Sequence, residues 1–272
     1  MFFSDEINDF FLSHGLEADS RVIPVPIVAE TPEEAVRQNE TLRTMAGETI
    51  FVTEDRWRSQ RTMMEARLLA HRHIFCQVYA RNCELRRIDK PLAAAFLKDN
   101  HSYGDASCRY RYGLFLKRLT GEKAQQPGAG GALLQPGTLV AVSEFSSPRR
   151  WNKDGRLVSS YEWVRYASLP GVRVEGGMGK FLKHFIREVG PDDIMSYADL
   201  EWSDGSAYSA LGFKREGDKD AVLFRIDTRD WSRTPVRNPE VAVSNPCFRW
   251  YKNFGSAKYR LTLNNQTSAD AQ

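Results

Sequence analysis

The chain has 272 residues, 42% hydrophobic and 27% charged, with a net charge of +3. This is an ordinary globular composition, with room for one large domain or a medium domain with an appendage. The charge is too mild to establish a nucleic-acid partner, and no apolar run approaches the length that crosses a bilayer.

The N-terminal "MFFSDEINDFFLSHG" is apolar but studded with acids and lacks a basic segment, so no signal peptide is expected. "TPEEAVRQNETLRTM" (31–45) opens a helix with Thr31 as N-cap, Pro32 at the first helical position and Glu34 three residues beyond the cap. "EDRWRSQRTMMEARLLAH" (54–71) places Trp57, Arg61, Met64, Leu68 and His71 on one helical stripe. Short strands are expected at 74–80 and 84–88, and a helix capped by Asp89 over 89–99. Strands follow at 109–117, 138–147 and 159–169, separated by a Gly, Pro and Gln-rich connection at 121–137 and a turn at "RRWNKDGR". A helix at 179–188, a strand at 193–200, a short helix at 205–213 ended by Gly212 and a strand at 220–227 complete the pattern.

A three-stranded meander, one parallel crossover and further strands make a mixed α/β sheet. The expected organisation is a helical N-terminal appendage at 1–80, a main domain at 82–235 and a C-terminal extension at 236–272 with a mobile tail. The four cysteines, Cys76, Cys83, Cys108 and Cys247, have no C-x-x-C spacing. They read as reduced thiols of a cytoplasmic protein rather than a disulfide frame or zinc site.

In "GVRVEGGMGKFLKHF" (171–185), Gly176, Gly177 and Gly179 precede an apolar helical pattern. The run is not a P-loop, because Phe181 follows Lys180, and its spacing is not that of a dinucleotide fingerprint. Glycines there either make a tight turn against the sheet or let successive N–H groups at a helix start cradle a pyrophosphate. Charge is uneven as well. Residues 56–90 carry an excess of six positive charges, and Arg149, Arg150, Lys153 and Arg156 cluster against Asp154 alone. Such clusters are solvated faces or phosphate-contacting surfaces.

Strand, glycine turn, helix, strand and then "YSALGF" (208–213) resemble the GNAT acyltransferase superfamily. The set "FLKDNHSYG" (96–104), "YGLF" (112–115), "LVAVSEF" (139–145), "YEWVRY" (161–166), "VEGGMGKFLKHF" (174–185), "SYADLEWSDG" (196–205) and "YSALGF" is similar to its phage Mom-like branch, over about residues 75–215. The resemblance implies a mixed sheet splayed open at its centre. It implies acetyl-CoA or a related acyl-CoA held at Val174, Gly176, Gly177, Met178, Gly179 and Lys180, and adenine in double-stranded DNA as acceptor. Where the family carries Arg or Gln at the start of the turn, this chain has Val174. The branch also implies a bound iron, although no histidine spacing here supports one.

The catalytic residues it carries over are His101, Arg165, Asp199 and Tyr208, with Ser203 beside them. His101 follows a helix in a turn, as a base, a metal ligand or a surface histidine. Strand alternation puts Arg165 on the face of Trp163, with Asp199 as its partner in a structural or a catalytic pair. Tyr208 is a proton donor or a core cap. Arg58, Arg61, Arg67, Arg149 and Arg150 are the expected phosphate contacts, and Tyr103, Trp151, Trp163 and Trp202 are aromatic groups that either pack the core or stack a base. An ordinary amine acetyltransferase shares this site without needing the basic faces, and a DNA-binding accessory protein needs the faces without the site.

Overall fold

The structure is a computed structural model that describes residues 2–45, 49–119, 134–153, 155–237 and 245–263. Most of the Gly, Pro and Gln-rich connection and the 264–272 tail lie outside the described residues.

In chain order the elements are α1 (Phe3–Ser13), β1 (Val22–Val25), α2 (Pro32–Arg43), β2 (Ile50–Thr53), α3 (Glu54–Ser59), α4 (Arg61–His71), β3 (Cys76–Tyr79), β4 (Cys83–Arg87), α5 (Lys90–Asn100) and β5 (Tyr110–Leu116). They continue with β6 (Leu139–Phe145), β7 (Arg149–Lys153), β8 (Arg156–Ser168), β9 (Val172–Glu175), α6 (Gly177–Val189), β10 (Asp193–Asp199), α7 (Ser206–Ala210), β11 (Lys214–Lys219), β12 (Leu223–Asp227), β13 (Ser232–Val236), β14 (Phe248–Lys252) and β15 (Ser256–Thr262).

Local chemistry sets the boundaries. The Thr31 hydroxyl accepts the Glu34 N–H, and the Asp89 carboxylate accepts the Leu92 N–H. Both caps meet helix N–H groups that have no partner inside the helix. The helix expected over 54–71 breaks at Gln60, whose φ of −133° leaves the helical region. The expected turn "RRWNKDGR" is instead β7 and the start of β8, paired antiparallel from Arg149↔Ser160 to Lys153↔Arg156.

The main sheet runs β11-β15-β10-β8-β6-β5-β4, with β7 paired to β8. Strands β4, β5, β6 and β8 are antiparallel, whereas β8 and β10 are parallel, as the crossover through α6 requires. The expected mixed α/β architecture is therefore present. The expected splay is present too, since the β8–β10 ladder holds only Ser160↔Asp193, Tyr161↔Ile194 and Glu162↔Met195 while β8 runs on to Ser168.

The compact units differ from the cuts expected at 80 and 235. One comprises 1–64, 197–206 and 216–258; the other comprises 65–196, 207–215 and 259–272. The reason is packing between distant segments. In the first unit Val25, Ile27, Leu42 and Phe51 share a buried core with Phe224, Ile226, Tyr251 and Phe254. In the second, α5 covers one sheet face through Ala93, Phe96 and Leu97 against Val142 and Ala167. On the other face α6 lays Phe185 parallel to Phe145, with ring centroids 3.9 Å apart.

Candidate functional site

The glycine turn joins β9, paired parallel to β3, to α6. Gly176 has φ +74°, a left-handed conformation that residues other than glycine adopt at a cost, and as the N-cap it offers no side-chain cap to the helix. The first intrahelical bond runs from Lys180 N–H to Gly176 O, so the N–H groups of Gly177, Met178 and Gly179 are the unclosed donors of the first turn. A Cβ on Gly177 would lie 3.0 Å from Tyr166 Oη and 3.1 Å from Val174. Glycine there lets the helix start seat against β8 and β9. A Cβ on Gly179 meets only Leu211, at an ordinary 3.5 Å. The Lys180 ammonium donates to Ala80 O at 2.8 Å and Cys83 O at 2.6 Å, and burial holds its pKa below the usual lysine range. It is tied to the chain at the start of β4 and just before it, which leaves the backbone as the turn's main offering to an anion.

Past Glu162, β8 carries a bulge. Glu144 pairs with Arg165 but Phe145 pairs with Trp163, so Val164 is an extra residue. The bulge overturns the alternation expected from sequence. Trp163 faces Phe145 and α6, whereas Arg165 stands opposite Glu144 on the α5 face. Tyr166 returns to the α6 face, its ring against Phe181. The Trp163 indole donates to Ser143 Oγ at 2.7 Å, and its carbonyl lies 2.8 Å from Ser196 Oγ. The Tyr208 hydroxyl lies 2.9 Å from the same Ser196 oxygen. A carbonyl only accepts, so the serine proton goes to Trp163 and the phenol proton to the serine. Burial raises the Tyr208 pKa above the ordinary tyrosine range. Gly177, Tyr166, Trp163, Tyr208 and Ser196 thus form one continuous run of contacts.

On the α5 face, Arg165 Nε donates to Gly104 O at 2.9 Å and Nη1 to Val164 O at 3.0 Å, with the guanidinium 6.0 Å from the Tyr103 ring centre. His101 ends α5, and its Nδ1 accepts the Tyr103 N–H. Arg165 and the His101–Gly104 turn are therefore brought together. Sequence reading missed the group beside them. Glu144 is fully buried and lies between Arg111 and Arg165 in the ladder, with Arg111 Nε 3.1 Å from its Oε1. Asp105 and the Cys108 thiol face the same carboxyl. Burial first, and then Asp105, push the Glu144 pKa up to about 7 against the pull of Arg111. Cys108 is pushed up to about 12 by burial and by Glu144. The available signal was a lone acid in the apolar run "LVAVSEF".

Asp199 falls in the other unit. Its carboxylate accepts Arg56 Nη1 at 3.3 Å and the Glu201 N–H at 3.0 Å. The expected Arg165–Asp199 pair is replaced by these contacts and by the Gly104 carbonyl, because the bulge turns Arg165 to the α5 face. Ser203 is exposed and accepts the Gly205 N–H.

The expected phosphate contacts divide. Arg58 is forked onto Glu6 at 2.5 and 2.7 Å, and Arg61 lies over the Trp57 ring, 3.6 Å from the same carboxylate. Arg67 donates to Ser102. Arg149 and Arg150 are exposed on the β7–β8 hairpin, with no ion pair among the described residues, next to the exposed Trp151. Trp163 and Trp202 are buried. Among the described residues no group of three or more His, Cys, Asp or Glu could hold a metal, so the residues described do not fit the iron. None of the described helices is long and apolar enough to cross a membrane.

No family model and no curated protein matches the chain. Among solved structures, it is similar to an Enterococcus faecalis V583 protein of unknown function described as a probable N-acyltransferase, at 13% identity and TM-score 0.35. That match covers 55% of this chain and only 36% of the other. A KacTA–DNA complex matches at 15% identity and TM-score 0.32, covering 62% of this chain and 92% of that one. The histone acetyltransferase HPA2 and related acetyltransferase of Corynebacterium glutamicum matches at 12% and 0.32, covering 80% and 96%. None of the three is close enough to carry an argument about this chain.

Proposed function

We propose that the chain is an acyl-CoA-dependent transferase of the GNAT type acting on an amine. One observation carries the reading: the β8–β10 ladder stops at Glu162↔Met195, and the bulge at Val164 and the uncapped start of α6 join the same run of contacts. A parted parallel ladder beside an anion nest gives a long phosphate-bearing ligand both an anchor and a slot.

The residues present fit such a ligand. The N–H groups of Gly177, Met178 and Gly179 would hold its pyrophosphate, and Val174 seats the turn against the sheet. An acyl-CoA held there supplies an acyl thioester. The Tyr208 hydroxyl keeps its proton at neutral pH, the form needed to protonate a leaving thiolate. Arg165, fixed by two carbonyls, places a permanent positive charge on the α5 face, where it favours developing negative charge. His101 holds the turn that supplies one of those carbonyls. Asp199 acts on the fold through Arg56.

The decisive test is calorimetry with acetyl-CoA. The chain is expected to bind it, and Gly179→Val to weaken binding at least about tenfold, since a branched side chain would stand between phosphate and N–H groups. Unchanged affinity in that variant would remove the nest.

The β7–β8 hairpin favours a nucleic-acid amine, such as the exocyclic amine of adenine in DNA, as the finer reading of the acceptor. Among the described residues Arg149 and Arg150 make no ion pair there, and Trp151 is 45% exposed, while Arg58 and Arg61 are engaged by Glu6. Phosphate contacts by two arginines imply a log–log salt slope of about −2 for duplex DNA. Replacing both arginines with alanine is expected to flatten that slope; salt-independent binding, or none, returns the acceptor to a small-molecule or protein amine.

A further inference from the structure

We infer that Glu144 and Asp105 share one proton and form the proton acceptor of this site, with Arg111 and Arg165 as their counter-charges. The inference rests on the transferase reading for its substrate, and on geometry for the acid pair itself.

The geometry begins with the bulge. Without it, Arg165 would point toward α6; with it, Arg111, Glu144 and Arg165 stand side by side across three strands on the α5 face. Both Glu144 oxygens, Asp105 Oδ1 and Arg111 Nε are buried and lack an aligned hydrogen bond among the described residues. The Arg111 contact is close in distance but misdirected. Buried polar atoms need partners. Two facing carboxyls acquire one when a single proton lies between them, because one becomes donor and the other acceptor. The groups facing Glu144 are Arg111 from β5, Arg165 from β8, and Asp105 and Cys108 from the segment after α5; α5 itself presents Ala93, Phe96 and Leu97 to this sheet face. The two arginines balance two carboxylates when both are ionised.

The pair and the anion nest flank the same strand. Tyr166 touches Gly177 on the α6 face, and Arg165, one residue earlier, belongs to the acid cluster on the other. An acceptor entering on the α5 face would meet half-buried Asp105 and Arg165 before it met Glu144. As the amine nitrogen bonds to the acyl carbon, the carbon–sulfur bond breaks with its electron pair leaving on sulfur, which Tyr208 protonates, and one N–H bond breaks with its electron pair staying on nitrogen. The proton bonds to an Asp105 oxygen and is shared with Glu144. The pair later releases that proton to water, and Tyr208 recovers from water the one given to the leaving thiolate, so protons balance.

The test has two arms. The first is carbon-13 NMR of labelled carboxyl groups in the full chain across pH 4–9. A Glu144 resonance titrating near pH 7, shifted in Asp105→Asn, is expected; titration near the ordinary 4.5 overturns the pair. The second arm is the pH profile of acyl transfer to an amine. In the wild type kcat/KM is expected to rise through about pH 7. Glu144→Gln and Asp105→Asn should each lower it on the order of 100-fold at pH 8 and move or abolish that limb. An unchanged limb in both variants overturns the proton role even if the pair titrates as expected. Failure of the wild type to bind acetyl-CoA or acylate any amine removes the transferase reading and the substrate role with it, while the first arm still decides the shared proton. Glu144→Asp, which keeps the acid, is expected to retain the limb at a shifted position, as a purely structural role would not require.

Discussion

Glu144 shows how one buried side chain ties stability to pH. Its pKa in the folded chain is raised to about 7 from an ordinary 4.5, with burial as the largest cause and Asp105 next. The native state therefore binds more protons than the unfolded one between those values, and stability falls as pH rises through the interval. The contribution is complete below about pH 4.5 and lost above about 7. Glu144→Gln keeps the shape and removes the titration, and its amide can donate to Asp105 in place of the shared proton. The variant is expected to melt a few degrees higher than wild type at pH 8, with the gap closing toward pH 5. A gap independent of pH in thermal melts would sink the account. Gly177 makes a different demand at the same scale. Its would-be Cβ meets Tyr166 Oη and Val174 at 3.0–3.1 Å, contacts on packed neighbours that cannot simply swing away. Gly177→Ala is expected to cost about 1–3 kcal/mol by overpacking, measured by urea unfolding. Gly179→Ala, with only Leu211 at 3.5 Å, should be close to neutral in the same assay.

At the scale of elements, legibility follows the range of the interaction. Thr31, Asp89 and the glycines bounding α6 act within a few residues, so the helices they cap were legible to within a residue or two. The meander of β5, β6 and β8 and the parallel crossover were legible from the order of strand patterns. The bulge was not. Strand alternation assumes a register that only pairing with β6 reveals, and a single extra residue at Val164 reverses the face of everything beyond it. That is why Arg165 was assigned the wrong neighbours, whereas Tyr208 and the glycine turn were picked from local patterns that do not depend on register. The bulge makes its own prediction. Deleting Val164 restores alternation, turns Arg165 toward the α6 face and separates it from Glu144. The expected result is a destabilised chain in which Glu144, having lost one counter-charge, titrates still higher; an unshifted carboxyl resonance would show that Arg165 does not face it.

At the scale of the whole molecule, chain order and packing order diverge. The order of predicted strands and helices suggested that residues 82–235 form the main domain. The structure places β14 and β15 in the cores instead. Trp250, Tyr251, Phe254, Ala257 and Tyr259 are all at least 95% buried. Within the first unit Phe254 stacks on Phe51 at 4.3 Å, and Tyr251 donates to buried Glu201 at 2.6 Å. Glu201 is in turn held by Arg56 at 2.9 Å, and Arg233 pairs with Asp55 at 2.7 Å. Within the second unit the Tyr259 ring stacks on Tyr208 at 5.5 Å, so the C-terminal strand also supports the proposed proton donor. Stopping the chain after Val236 would strip these partners from both units. It would leave Glu201 facing Arg56 without its tyrosine, and Phe51 and Phe224 against water. Removing one aromatic from a core costs about 3–5 kcal/mol, and whole domains are stable by only about 5–15. Residues 1–236 and 82–235 are therefore expected to lack cooperative unfolding and a dispersed amide spectrum, whereas 1–263 should keep both. A folded, cooperatively melting 82–235 fragment would show that the second unit needs neither β15 nor the segment before β4, and would restore the boundaries expected from the order of sequence patterns.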